Sequence, residues 1–141
     1  MILMDQCLAA LKEHFLEEPY ARIFGIEIVE LEAGRALLQM QTSSRMNNLF
    51  GMTHGAAIYS LLDAAFELAV NSHGTVTVAL SVNVNYLNAA NPGEMLHALA
   101  QETNLSRKIS ACEIRITGQD ARLVATAQAL AYRKKDSLPF L

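Results

Sequence analysis

The sequence predicts an α+β domain in which one long helix lies against a mostly antiparallel sheet. Three observations carry this. Residues 55–72 are apolar in nearly every helical direction, with Gly74 close behind as a stop. The chain beyond, residues 75–133, shows only strand-like alternation broken by turn signals. Two more strand-like runs stand ahead of the helix, with Ala33–Gly34 between them.

Taken in order, residues 2–15 show helical periodicity, with Leu3, Cys7, Leu8, Leu11 and Phe15 on one stripe, and Pro19 is expected to stop that helix. Residues 24–31 and 35–42 read as a hairpin of two strands. Residues 42–53 are polar and carry Asn47, Asn48 and Gly51, which marks a loop. After the helix, residues 75–88 alternate so that Val76, Val78, Leu80, Val82, Val84 and Tyr86 share one face. Asn91–Pro92–Gly93 is a turn. Residues 94–104, 109–117 and 123–133 are three further strands, the last two joined by a tight turn at Gly118, Gln119 and Asp120.

Composition narrows the function. The 141 residues suit a single domain spanning 1–141, long enough to bury a core without disulfide or metal support. With 52% apolar and 18% charged residues, surplus apolar surface is expected to enter an oligomer interface. The net charge is -3, and the longest basic run is Arg133–Lys134–Lys135. A basic face for nucleic acid is therefore not expected. Cys7 and Cys112 lie far apart and form no Cys-x-x-Cys pair, so neither a disulfide scaffold nor a zinc site is expected. Free thiols suit a reducing cytosol. Met1–Ile2–Leu3–Met4 is followed at once by Asp5, so no signal-peptide apolar region is expected and the reading is cytoplasmic. The sequon at Asn104–Leu105–Ser106 has no weight without such a signal.

The central helix breaks the usual amphipathic pattern. Its polar exceptions, Ser60, Asp63, Glu67 and Asn71, step by three, four and four, which puts them on one stripe. The helix is too short and too acidic to cross a membrane. Burying a carboxylate is costly, and like charges one turn apart oppose each other. Both effects raise a carboxyl pKa toward the range of a general base. On pattern alone the stripe either faces water or carries chemistry.

The segment entering the helix weighs on that choice. Asn48–Leu49–Phe50–Gly51–Met52–Thr53–His54–Gly55 runs straight into it, and Asp63 lies nine residues after His54. This resembles the hotdog-fold thioesterase superfamily, in particular its PaaI-like, phenylacetate-pathway branch. The matching positions are Asn48, His54, Gly55 and Asp63. The likeness continues through Leu61–Leu62–Asp63–Ala64–Ala65–Phe66 and Asn71–Ser72–His73–Gly74, then Ser81–Val82–Asn83–Val84–Asn85–Tyr86–Leu87 and Pro92–Gly93–Glu94. It departs at Ala56, where the family often has a second glycine, and Glu67 matches no family role.

The resemblance implies a curved antiparallel sheet wrapped around one long central helix, and hydrolysis of acyl-CoA thioesters without cofactor or metal. It implies Asp63 as general base or nucleophile and the Gly55 backbone N–H as oxyanion donor. Ser81 would help hold the attacking water, and Arg107–Lys108 would meet CoA phosphates. A helix N-terminus suits an oxyanion, since its N–H groups are unpaired and its dipole favours negative charge. Each residue also has a plainer reading: His54 as an orienting residue, Asn48 as a turn residue, Ser81 as an ordinary strand position, Arg107–Lys108 as a solvated tip. His14, His73 and His97 are read as structural or surface residues.

At about 100° per residue, nine residues turn a helix a net half turn and advance about 13 Å. One chain therefore does not easily bring the helix mouth and Asp63 to one thioester carbon. Two chains with antiparallel central helices do, which implies a dimer or a dimer of dimers with a shared site. Three other readings stay open. One is a non-catalytic acyl-CoA-binding hotdog domain. Another is a hotdog dehydratase, whose His-Phe-Pro segment is missing here. The third is a scaffolding oligomer, expected to have no cleft beside Asp63. The acyl group is left open.

Overall fold

A helix without a polar face has to be enclosed, and here a sheet encloses it. The computed structural model describes residues 2–141. The helices are α1 (Met4–Phe15), α2 (Pro19–Phe24) and α3 (Gly55–Asn71). The strands are β1 (Glu27–Glu32), β2 (Arg35–Gln41), β3 (Thr75–Tyr86), β4 (Met95–Leu105), β5 (Ile109–Thr117) and β6 (Leu123–Ser137). They form one antiparallel sheet in the order β1-β2-β4-β5-β6-β3, with α3 packed on its inner face. This is the hotdog arrangement.

The inner face of the sheet is built for close approach. Ala36, Ala98, Ala100, Ala125, Ala129 and Ala131 are buried there and leave room for the large side chains of α3. Leu61, Leu62, Phe66 and Leu68 fill that room at no more than 1% exposure. Deleting such side chains typically costs about 2–5 kcal/mol each, so the helix and the sheet stand or fall together.

Three sequence expectations need correction. Pro19 opens a helix instead of only ending one, because its fixed φ suits the first helical position. Phe24, read as strand, is the last residue of α2, and Gly25 closes it in the left-handed conformation at φ +63°. On β3 the six alternating residues do not share a face. Bulges between Thr75 and Thr77 and between Ala79 and Ser81 shift the register. Val78 and Leu80 therefore stand exposed on the outer side, while Val82, Val84 and Tyr86 pair with the inward-facing Ala129, Ala127 and Ala125.

Asn71 fixes α3 against β3. Its Oδ1 accepts from Thr77 N at 2.8 Å, and its Nδ2 donates to the carbonyls of Glu67 and Thr77, each at 2.9 Å. Glu94 does the same for the far end of the sheet. It is 3% exposed and accepts from Asn91 N (2.9 Å), Gln119 N (2.8 Å) and Arg122 (3.1 Å). Gly118 is required here, since a side chain there would run into the Glu94 carboxylate. Burial alone would raise the Glu94 pKa, but the two backbone donors and Arg122 outweigh it and hold the group below the ordinary glutamate value.

Glu94→Ala strands those donors and is expected to lower unfolding free energy by about 1–3 kcal/mol at neutral pH, read by urea unfolding. The native pKa is depressed, so this contribution is complete above the ordinary value of about 4.5. It is lost as pH falls through the native pKa, and the gap between wild type and variant narrows in acid.

Candidate active site

The loop before α3 is organised by Asn48. Its Oδ1 accepts from Phe50 N at 2.8 Å and Met52 N at 3.1 Å, while its own N–H donates to Met52 O at 2.7 Å. The turn reading of Asn48 is thus correct, by side-chain hydrogen bonding and without a left-handed backbone. Its Nδ2 has no acceptor among the described residues. The loop leaves Leu49 98% and Phe50 85% exposed at its tip.

His54 is the N-cap of α3. Its N–H donates to Met46 O at 2.7 Å, and its Nδ1 accepts from Ala56 N at 2.9 Å. The cap takes the Ala56 donor and leaves the Gly55 N–H without an acceptor among the described residues. The Tyr86 ring lies beside Gly55, at 3.5 Å from where a Cβ would stand. That is ordinary contact, so a methyl would fit there while a bulkier side chain would meet the ring.

The polar stripe splits in two. Ser60 and Asn71 are buried and satisfied, Ser60 by Ala56 O at 2.9 Å and the Tyr20 hydroxyl at 3.0 Å. The open stripe is instead Ala56, Tyr59, Asp63 and Glu67. Asp63 is half-buried and lines a hollow of about 190 Å³ with Phe66, Glu67, Thr77, Val78 and Ala79. Burial first, then the charge of Glu18, pushes its pKa up. Glu67 keeps an open edge toward solvent, yet crowding of its carboxyl, a hydrogen bond to Glu18 and the charges of Glu18 and Asp63 raise it to about 9. The like-charge contacts alone dictate that direction. None of the ion pairs among the described residues involves these three carboxyls. Tyr59 is also raised, by desolvation and then by Asp63 and Tyr86.

Glu18, Tyr59 and Tyr86 escaped the sequence reading. Tyr59 carried a signal, since it stands one turn before Asp63. Glu18 and Tyr86 carried none, since they reach the site from α2 and β3.

The remaining candidates lie elsewhere on the chain. Ser81 is exposed on β3, just past its bulge, and pairs with the outward-facing Leu130, so it does not face Asp63 of its own chain. Arg107 and Lys108 are exposed in the β4–β5 turn. That turn is pinned by Arg133, whose Nη1 donates to Ser106 O and whose N–H donates to Lys108 O, each at 2.8 Å. From Gly55 to Asp63 the count is eight residues, so the net rotation is about 80° instead of a half turn, with a rise of about 12 Å. The distance, not the angle, keeps the two apart. Cys7 and Cys112 are free and buried. Among the described residues no cluster of His, Cys, Asp and Glu is arranged to hold a metal, and no helix is long and apolar enough to cross a membrane.

Comparison with known proteins gives a consistent result. The thioesterase superfamily profile matches residues 50–125. The chain is 36% identical to a putative esterase of Archaeoglobus fulgidus, over 79% of this chain and 73% of that protein. It is 30% identical to the acyl-coenzyme A thioesterase PaaI of Escherichia coli, over 80% of this chain and 81% of the relative. The solved structure of the Escherichia coli PaaI protein from the phenylacetic acid degradation operon superposes with a TM-score of 0.91 at 26% identity, covering 96% of this chain and 99% of that one.

Capping by His54 has a measurable consequence. His54→Ala should lower stability by roughly 0.5–2 kcal/mol in urea unfolding, while His54→Asn, which can cap, should recover most of it. Equal stability in all three chains would remove the capping role.

Proposed function

The chain belongs to the thioesterase superfamily and is a thioester hydrolase, and from that premise we propose that it hydrolyses acyl-CoA thioesters to the free acid and CoA in a site shared by two copies. The observation that carries this reading is the pairing of an unused helix N-terminal donor, Gly55 N–H, with a carboxyl of raised pKa in an open hollow, Asp63. These are the two groups that acyl transfer needs: a donor for the oxygen where charge develops, and a base or nucleophile for the carbon.

In this reading the substrate carbonyl oxygen rests on Gly55 N–H of one copy. Asp63 of the other takes a proton from water as the water oxygen bonds to the carbonyl carbon. The C–S bond then breaks and the proton passes to the departing thiolate. Direct attack by Asp63 through an anhydride uses the same groups. Asn48 supplies its free amide to the substrate or shapes the loop, and Ser81 reaches the site across the interface if it holds water. Arg107 and Lys108, on their pinned turn, offer cations to the CoA phosphates.

Self-association is supported by three features. The roughly 12 Å rise between Gly55 and Asp63 exceeds the reach of one thioester group. The β3 edge is twelve residues long and unpaired, and such edges invite a partner strand. Leu49 and Phe50 stand almost fully exposed beside Asn48 and need a covering surface. The hollow beside Asp63 counts against a purely scaffolding role.

Asp63→Asn should lower kcat on a good acyl-CoA by about 10²–10⁴-fold with the circular dichroism spectrum unchanged. Near-normal turnover would remove Asp63 from the chemistry and favour a non-catalytic acyl-CoA-binding role. Mixing Asp63→Ala with a chain carrying a bulky residue at Gly55 gives heterodimers with one intact and one doubly damaged site. With free subunit exchange, about half the dimers are mixed and activity should return to roughly a quarter of wild type. Confirmed exchange without recovery would sink the shared site.

A further inference from the structure

Tyr86 ends β3 at the mouth of α3. Strand and helix run antiparallel here. Thr77, Val78 and Ala79, near the start of β3, line the hollow of Asp63, while Tyr86 at its end lies beside Gly55. Tyr86 pairs with the inward-facing Ala125, yet it stays 52% exposed.

The ring meets Gly55 with its polar end. From the place of a Gly55 Cβ, Cε1 and Cζ of Tyr86 are each 3.5 Å away and Cδ1 is 3.9 Å away. Cζ carries the hydroxyl, so the hydroxyl end of the ring borders the helix mouth. Among the described residues the one tyrosine hydroxyl with a hydrogen-bond partner is that of Tyr20. The Gly55 N–H is unused as well, since the His54 cap takes Ala56 N. Two unspent donors therefore stand side by side, and a carbonyl oxygen has two lone pairs to offer them. Tyr59 lies further along the stripe, one turn after Gly55 and one turn before Asp63. Burial first, then the charges of Asp63 and Tyr86, push its hydroxyl up, so it stands between the two.

We propose that the Tyr86 hydroxyl is a second donor to the thioester carbonyl oxygen, beside the Gly55 N–H of the same chain. The proposal rests on the hydrolase reading, which sets the carbonyl at the helix mouth. As water adds to the carbonyl carbon, the π electrons move onto the oxygen and its hydrogen bond from the phenol strengthens. When the C–S bond breaks, the electrons return and the bond relaxes. The proton stays on the phenol throughout, so Tyr86 stabilises charge and is neither acid nor base. An interaction that strengthens with developing charge acts on kcat more than on binding.

The test compares the full-length chain with Tyr86→Phe, which keeps the ring against Gly55 and removes only the oxygen. On the acyl-CoA that the wild type cleaves best, kcat should fall by about 10²–10³-fold, with KM changed by less than roughly threefold. Two ligands separate charge stabilisation from packing. A CoA trifluoromethyl ketone hydrates to a tetrahedral centre, and its affinity by calorimetry should fall at least roughly tenfold. S-hexyl-CoA, a thioether without the carbonyl, should bind within about twofold of wild type. Retention of more than roughly a tenth of kcat in a folded Tyr86→Phe chain overturns the proposal. So does a ketone affinity that falls no further than that of S-hexyl-CoA, which would make the ring a packing element. A wild-type chain that cleaves no acyl-CoA removes the hydrolase reading and this role with it. Wild-type turnover that Asp63→Asn abolishes and Tyr86→Phe spares removes the role of Tyr86 alone.

Discussion

Enclosing α3 decides where the other parts of the molecule go. Twelve of its residues are buried, and the alanines of β2, β4 and β6 draw the sheet tightly round it. A curled sheet covers a helix from several sides but not from all. What remains is a narrow strip that the sheet cannot reach, and Tyr59, Asp63 and Glu67 occupy it. The same curl ends at β3 and leaves its backbone edge beside that strip. The open stripe and the open edge are two aspects of one incomplete enclosure, which the proposed second copy of the chain would finish.

The electrostatics of the strip follow from what surrounds it. Three carboxyls converge there, and none of the ion pairs among the described residues involves them. Such a cluster does not stay fully ionised. Burial and the neighbouring carboxyls push Glu67 up to about 9, and burial followed by the charge of Glu18 raises Asp63.

How much of this was legible in sequence depended on the range of the contacts involved. The long helix, the hairpin and the four strands after the helix rest on local periodicity and turn residues, and they read correctly. Asn48, His54, Gly55 and Asp63 stood out because they are close in sequence and sit at a helix start. The bulge after Ala79 did not show, since alternation in the letters says nothing about an extra residue in the backbone. The second helix was hidden because Pro19 serves equally well to stop one helix and to start another. Glu18 could not have been paired with Glu67 by any local rule, since the chain brings them together only after α1 and α2 fold across α3. Ser81 shows the same limit, being near Asp63 in sequence order but turned to the opposite side of the sheet.

The cap at the mouth of α3 also settles which proton His54 carries. Its Nδ1 accepts from Ala56 N–H, so that nitrogen holds no hydrogen, and in the neutral ring the hydrogen must sit on Nε2. The imidazole then presents a donor to whatever lies before the helix and has no lone pair left to take a proton there. A neighbouring carbonyl or carboxylate would find in this ring a fixed hydrogen-bond donor. In the proposed mechanism, removing a proton falls to Asp63, two turns further along the helix.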